Sequence, residues 1–265
     1  MSTLSISDTW ERGSSYEQYI GRWSRSVAPQ FLAWLHLGSG KRWVDVGCGT
    51  GALSAAILDN CAPGEVVGVE PSEGFLKLAA QNLNDRAHLL PGSAQSISLP
   101  DGAADVVVSG LVLNFVPDEQ AALKEMARVV CAGGTVAAYV WDYADKMEVI
   151  KTFWDEAVNL DPSASDLHEG LRFQLCNPVA LRAAFEVAGF TEIQVSPIDL
   201  TANFDSFDDY WQPFLGGQGP APAYAMSLTE DRRSQLRDSL KVRLLMDKEG
   251  SFSLEARAWA VRGKR

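Results

Sequence analysis

The sequence predicts an α/β fold in which a doubly wound, mostly parallel sheet carries helices on both faces. Three observations predict it. Between Arg42 and Trp141, short β-rich runs alternate with helical apolar periodicities. The connections between them are only a few residues long. A glycine-rich turn joins the first run to the first helix, and no fixed-period repeat points to a solenoid instead.

Each element follows from local pattern. Arg42–Val46 is a buried-strand run that stops at Gly47. Gly51–Asn60 reads as a helix with Leu53, Ala56 and Ile57 on one side. Glu65–Glu70 is the second strand, and Glu73–Asn84 the second helix, with Phe75, Leu78, Ala79 and Leu83 at helical spacing. Ala87–Leu90 and Asp105–Ser109 are the third and fourth strands. Asp118 is suited to cap a helix running to about Cys131, which Gly133-Gly134 ends. Thr135–Trp141, β-branched and aromatic, is the fifth strand.

After Trp141 the rhythm changes. Lys146–Leu160 is an amphipathic helix pattern, and Asp161–Leu175 is irregular. Asn177-Pro178 starts a helix that ends at Gly189. Thr191–Ile198 is a strand, Asp205–Leu215 a short aromatic helix, and Gly216–Pro222 a Gly/Pro loop. Ser227 and Glu230 suggest a capping box for a helix to about Leu245. Ser251–Val261 alternates as a strand does. With no clear linker, a single domain over 1–265 is expected: 1–40 ahead of the first strand, 41–142 the core, 143–265 additions.

Composition narrows the function classes. Lys and Arg number 23 against 34 Asp and Glu, a formal charge of −11. That disfavours a broad nucleic-acid footprint, which needs clustered cations. No apolar run approaches the roughly 20 residues of a membrane helix. Met1–Trp10 has neither a basic start nor an apolar core, so no signal peptide and a cytoplasmic location are expected. Cys48, Cys61, Cys131 and Cys176 form no CxxC pair, so no metal site or disulfide framework is expected.

The most informative segment is Val44-Asp45-Val46-Gly47-Cys48-Gly49-Thr50-Gly51. A strand runs into a tight glycine turn that opens a helix, a layout that brings a ligand against bare backbone. The glycines also satisfy a dinucleotide GxGxxA pattern, so they do not decide alone. Asp45 does lean the choice: an anion sits poorly beside a pyrophosphate and well beside a cationic amino group or sulfonium. Glu70 ends the second strand, where a carboxylate can accept ribose hydroxyls.

The DxGxGxG pattern, with Glu70-Pro71-Ser72 and the run Ser109–Gly134, resembles the class I S-adenosylmethionine-dependent methyltransferases, type-11 group, which includes ubiquinone and menaquinone biosynthesis enzymes. The resemblance covers about Arg42–Trp141. It implies a Rossmann-like methyltransferase fold of seven strands with the last one antiparallel, an N-terminal helical lid and a helical insert after the fifth strand. It implies S-adenosyl-L-methionine as cofactor, S-adenosyl-L-homocysteine as product and a small-molecule acceptor.

Carried over by motif, the cofactor residues are Asp45, Gly47, Cys48, Gly49, Gly51, Glu70, Pro71, Ser93, Ala94, Gln95 and Leu111. Ser93 stands where relatives often have Asp, which weakens an adenine contact. From the lid come Tyr19, Trp23 and Arg25, with Tyr16 and Arg22 nearby. Acceptor-side candidates are Asn114, Trp141, Tyr143, Arg172 and Trp211. No general base stands out, and Asn114, Asp142 and His168 are the catalytic candidates. Methyl transfer from a sulfonium depends chiefly on alignment and desolvation, so a missing base does not weigh against the resemblance. Two rivals are a non-catalytic cofactor-binding regulator and, less favoured, an NAD(P)-dependent dehydrogenase. A monomer or homodimer is expected.

Overall fold

The computed structural model describes residues 21–217 and 219–265. Ten helices are labelled here among those residues, beginning with α1 (Arg22–Leu35). Then follow β1 (Arg42–Val46), α2 (Ala52–Asn60), β2 (Glu65–Glu70), α3 (Glu73–Leu83), β3 (His88–Pro91) and β4 (Ala104–Gly110). A 3-10 turn at Leu113–Phe115 leads to α4 (Glu119–Val129) and β5 (Val130–Trp141). Next come α5 (Glu148–Leu160), a 3-10 helix at Pro162–Leu167, α6 (Glu169–Arg172), α7 (Pro178–Val187) and β6 (Thr191–Phe204). The chain closes with α8 (Phe207–Trp211), α9 (Pro220–Ser227), α10 (Glu230–Arg243) and β7 (Phe252–Lys264).

The seven strands form one sheet in the order β3-β2-β1-β4-β5-β7-β6. β1 to β5 pair in parallel, and β7 runs antiparallel to β5, with Trp141 opposite Ala258 and Thr135 opposite Lys264. The side-chain bonds Asn203–Ser253, Asp199–Arg257 and Gln194–Arg262 run in opposite order along β6 and β7, as in an antiparallel pair. This is the mostly parallel α/β sheet that the alternating pattern predicts, with its final strand reversed.

The chain divides into two compact units. The first holds Trp23–Trp141, Leu175–Ile198 and Ala258–Arg265; the second holds Asp142–Gln174 and Asp199–Arg257, together with Arg22. In the first unit, Val44, Val46, Val107, Val136, Ala138 and Val140 pack under Leu123, Met126, Leu181 and Phe185. β1, β2 and β4 are buried along nearly their whole length, as parallel strands covered on both faces must be. On another part of the sheet, Phe31 of α1 lies 4.7 Å from the Tyr139 ring.

The second unit has an aromatic core. Phe153 stacks on Phe214 at 4.5 Å, and Trp154 meets Tyr224 at 5.3 Å. The buried Tyr210 hydroxyl donates to Val149 O at 3.0 Å.

Caps account for several boundaries. Asp118 accepts from Ala121 N–H at 2.8 Å and Asn177 from Ala180 N–H at 2.9 Å, as their sequence positions predict. Several elements differ from expectation: β6 runs on past Ile198 to Phe204, and the Asp161–Leu175 stretch holds a 3-10 helix and α6. α4 stops at Val129, and Gly133-Gly134 lie inside β5 instead of ending the helix. There Val130 pairs with Ala104 and Thr135 with Val106, so an irregularity absorbs the extra residues. A Cβ on Gly134 would meet Asp105 O at 2.9 Å, which explains the glycine.

The Gly216–Pro222 loop is shorter than expected, because α9 begins at Pro220. Prolines in a first helical turn give up no intrahelical bond. Finally, Thr229 caps α10, whereas Ser227 Oγ donates to Tyr224 O at the end of α9.

Phe185 is fully buried against Phe190, with ring centroids 5.1 Å apart. Phe185→Ala is expected to destabilise the protein by about 3–5 kcal/mol through cavity formation, read by urea denaturation.

Candidate functional site

The carboxyl ends of β1, β2 and β4 converge on the glycine turn. Asp45 sits mid-sheet, opposite Gly68 of β2 and Val108 of β4, and is only 1% exposed. Ser54 Oγ–H, from the first turns of α2, donates to Asp45 Oδ2 at 2.7 Å. Asp45 Oδ1 is buried with no hydrogen-bond donor. Burial pushes the Asp45 carboxyl up to about 7, against the Ser54 bonds and with help from the Glu70 charge. A buried acceptor left unmatched is costly unless a donor arrives from a ligand.

The turn itself is anchored to β2. Gly47 N–H and Cys48 N–H both donate to Val69 O, at 2.7 and 3.1 Å, and Gly51 N–H donates to Cys48 O at 2.8 Å. Gly47, Gly49 and Gly51 all have positive φ, +71°, +54° and +89°. Their surroundings differ. A Cβ on Gly47 would lie 2.6 Å from Val112 Cγ2, and one on Gly51 would lie 3.1 Å from Leu83. A Cβ on Gly49 would have nothing within 4 Å. Of the three, Gly49 is therefore the glycine that opens onto free space.

Glu70, 7% exposed, braces this turn. Its Oε2 accepts from Gly49 N–H at 3.1 Å and its Oε1 from Ser72 N–H at 2.9 Å. Burial pushes the Glu70 carboxyl up, and these two bonds oppose that shift. Each oxygen keeps a lone pair for a further donor. Pro71 is exposed between them. Cys48 Sγ is buried against Gly68, and burial pushes its thiol up, so it is a packing thiol without thiolate character.

The turn after β3 is tied to Glu70 through Gly92 N–H, which donates to Glu70 O at 3.3 Å. Beyond it Ser93 bridges to Ser96, Ala94 is buried and Gln95 is exposed. After β4, Leu111 has φ +64° while its N–H donates to Tyr139 O at 2.8 Å. A left-handed leucine costs on the order of 1–2 kcal/mol, and such residues cluster at functional sites. Its neighbour Val112 covers Gly47, which fastens the β4 exit to the glycine turn. Asn114 Nδ2 lies 3.8 Å from Cys176 Sγ, and Asn114 Oδ1 is buried without a partner.

The sequence-expected residues therefore fall into groups. Asp45, Gly47, Cys48, Gly49, Gly51 and Glu70 come together, joined by the Ser93–Gln95 turn and by Leu111. In α1 of the same unit, Trp23 is buried and Arg25 is exposed. Tyr16 and Tyr19 lie outside the described residues. Trp141, 1% exposed, ends β5, and its indole N–H is buried without a partner.

Asp142, Tyr143, His168, Arg172 and Trp211 belong to the second unit. Asp142 Oδ1 accepts from Asp145 N–H at 3.1 Å and closes a turn. His168 Nδ1 accepts from Gly170 N–H at 3.0 Å and caps α6. Tyr143 packs on Phe173, over which the Arg172 guanidinium also lies, at 4.9 Å. Trp211 is buried between Phe207 and Phe214. Among the described residues no group of His, Cys, Asp and Glu has metal-site geometry.

Sequence reasoning missed Ser54 and Val112. Ser54 is a buried polar residue beside the apolar stripe of α2, which is the one signal that could have flagged it.

A family model described as "Methyltransferase domain" matches residues 44–138, the segment that builds this site. The demethylmenaquinone methyltransferase of Geobacillus sp. is 37% identical over 107 residues, 38% of this chain and 46% of that protein. That of Staphylococcus haemolyticus is 30% identical over 177 residues, 61% of this chain and 73% of that protein. The chain spans about half the length of the curated relatives it matches over this core, the Geobacillus protein among them. Among solved structures, a candidate methyltransferase of Bacillus halodurans superposes with a TM-score of 0.62 at 15% identity, covering 90% of this chain and 98% of the other. At that identity the likeness speaks for the fold alone.

Two stability effects follow. Gly47→Ala, strained in φ and driven into Val112, is expected to cost about 2 kcal/mol or more, whereas Gly49→Ala, with open space, costs about 1 kcal/mol. Chemical denaturation of both variants checks the order. Because the folded Asp45 pKa of about 7 lies above its ordinary value of 3.8, the native state holds more protons between those values. Stability of the ligand-free protein is therefore expected to fall as pH rises from about 4 toward 7, and Asp45→Asn to flatten that slope. Thermal midpoints across the range test it.

Proposed function

This chain belongs to the class I S-adenosylmethionine-dependent methyltransferases, and on that premise we propose that it transfers a methyl group from S-adenosyl-L-methionine to a small-molecule acceptor. The product is S-adenosyl-L-homocysteine. Asp45 carries the proposal: a buried carboxylate with an unmatched oxygen, beside a glycine that opens onto free space. A cationic amino group supplies both the donor and the charge that Asp45 lacks. A pyrophosphate would instead face Asp45 and Glu70 with like charge.

When bound, S-adenosylmethionine supplies a sulfonium-activated methyl group. The chain's own residues hold and orient it. Gly49 lets the ligand approach the turn, and Gly47, Cys48 and Gly51 keep that turn in shape. Glu70 accepts ribose hydroxyls with the lone pairs left by Gly49 and Ser72. Ser93, Ala94 and Gln95, with Pro71 and Leu111, serve the adenine end. Trp23, Arg25 and Tyr19 serve the methionine end.

On the acceptor side we propose Asn114, Trp141, Tyr143, Arg172 and Trp211. Asp142 and His168 hold a turn and a helix cap, so neither is assigned proton transfer. Alignment and exclusion of water are the contributions this chain makes to rate.

The names of the relatives make a quinone of the demethylmenaquinone kind the first acceptor to try. The formal charge of −11 disfavours nucleic acid as acceptor. No described helix is long and apolar enough to cross a membrane. A cytoplasmic location is part of the proposal.

Calorimetry with S-adenosylhomocysteine is the test. At pH 7 an Asp45 of pKa about 7 is about half protonated, so pairing with the ligand's ammonium should release about half a proton, seen as a buffer-dependent enthalpy. Asp45→Asn should abolish the release and weaken binding by about 2 kcal/mol, the value of a charged hydrogen bond. Stabilisation by NAD(P) and none by S-adenosylhomocysteine would overturn the proposal. Binding without methyl transfer to any member of a quinone and metabolite panel would leave a non-catalytic binding protein.

A further inference from the structure

The second unit contains a cavity of about 450 Å³ whose lining shares no residue with the glycine-turn site. That size lies within the usual range of small-molecule pockets. Lys151 and Asp155, one turn apart on α5, face it together with Val158 from the same helix. His168 and Leu171 contribute from α6 and its cap, and Arg243 from the end of α10.

The polar groups of this cavity are donors in excess. Asp155 and Asn159 supply the side-chain acceptors among them, and Asp155 is engaged: Lys151 Nζ reaches its two oxygens at 3.1 and 2.9 Å, and Arg243 Nη2 donates to Oδ2 at 2.9 Å. Arg243 Nη1 donates to Glu156 Oε1 at 2.7 Å. The remaining guanidinium and ammonium N–H groups, on side chains 42% and 31% exposed, face solvent.

His168 adds an independent sign. Its side chain is only 10% exposed. Nδ1 accepts from Gly170 N–H at 3.0 Å, so in the neutral ring the proton sits on Nε2. Burial holds the His168 pKa below its ordinary value, against the pull of Asp155. Nε2 lies 3.7 Å from Asp155 Oδ1, beyond hydrogen-bond reach. The Nε2–H donor thus stands at the cavity wall, open to a ligand or to solvent.

We propose that this cavity binds a small organic oxyanion, a carboxylate or a phosphoryl group on a compact and partly apolar body. Its oxygens accept from His168 Nε2–H, Lys151 Nζ and Arg243, and its body lies against Val158 and Leu171. Asp155 and Glu156 together offset the two cations, so the attraction comes from short-range donors and not from a net field. Affinity is accordingly modest. Leu171, 70% exposed despite its size, gains cover when the body binds.

The full chain is titrated calorimetrically with benzoate, inorganic phosphate and, as a neutral match, benzamide. Benzoate or phosphate is expected to saturate the protein at millimolar concentration, with benzamide about tenfold weaker than benzoate. The tighter of the two anions identifies the source of the oxyanion. Lys151→Met should weaken that anion by about tenfold and leave S-adenosylhomocysteine affinity unchanged, so this site and the methyl-transfer proposal can fail separately. His168→Asn keeps a side-chain acceptor for Gly170 N–H but removes the Nε2 donor, and should weaken the anion several-fold at an unchanged thermal midpoint. No saturation by either anion would overturn the proposal. So would benzamide binding as tightly as benzoate, or full anion affinity in both variants.

Discussion

The Glu70 carboxylate joins the two loops on which the cofactor-side geometry depends. One oxygen takes Gly49 N–H and the other takes Ser72 N–H. The turn leaving β1 and the turn leaving β2 are thereby held by a single side chain. Val69, its neighbour, repeats the link through its carbonyl, which receives two more N–H groups of the same glycine turn. The turn held there stands beside the end of β1, where Asp45 Oδ1 is left without a donor.

Much of this was legible in residue order. Asp45, the glycine turn and Glu70 stand at strand ends that the apolar runs define, and an α/β alternation has few topologies available. Caps such as Asp118 and Asn177 announce themselves because a short polar side chain precedes an apolar periodic run. What escaped was set by tertiary contact. Gly133-Gly134 looks like a helix stop, yet close approach of Asp105 O demands a glycine inside β5. Ser227 and Thr229 are both plausible caps, and only the end of α9 decides between them. Val112 reads as an ordinary apolar residue until its side chain is seen to fill the place of a Gly47 Cβ.

The candidate acceptor residues were legible as a class and not as a set. Large aromatics after Trp141 build the core of the second unit, where they stack on one another. Composition alone does not separate such packing from a pocket wall. His168 illustrates the difference: its position in an irregular stretch suggested proton chemistry, whereas one nitrogen closes a helix and the other stands at a cavity.

The second unit draws about 60 residues, Asp199–Arg257, from between two halves of the sheet's last strands. Its ends are clasped where Arg257 Nε meets Asp199 Oδ1 at 2.6 Å. A segment whose entry and exit are already side by side adds little closure entropy to the host, whatever its length. It is therefore a graft point. Such an insert can be lengthened, shortened or replaced while the parallel core keeps its register. Selection can thus remodel one half of the protein without renegotiating the other.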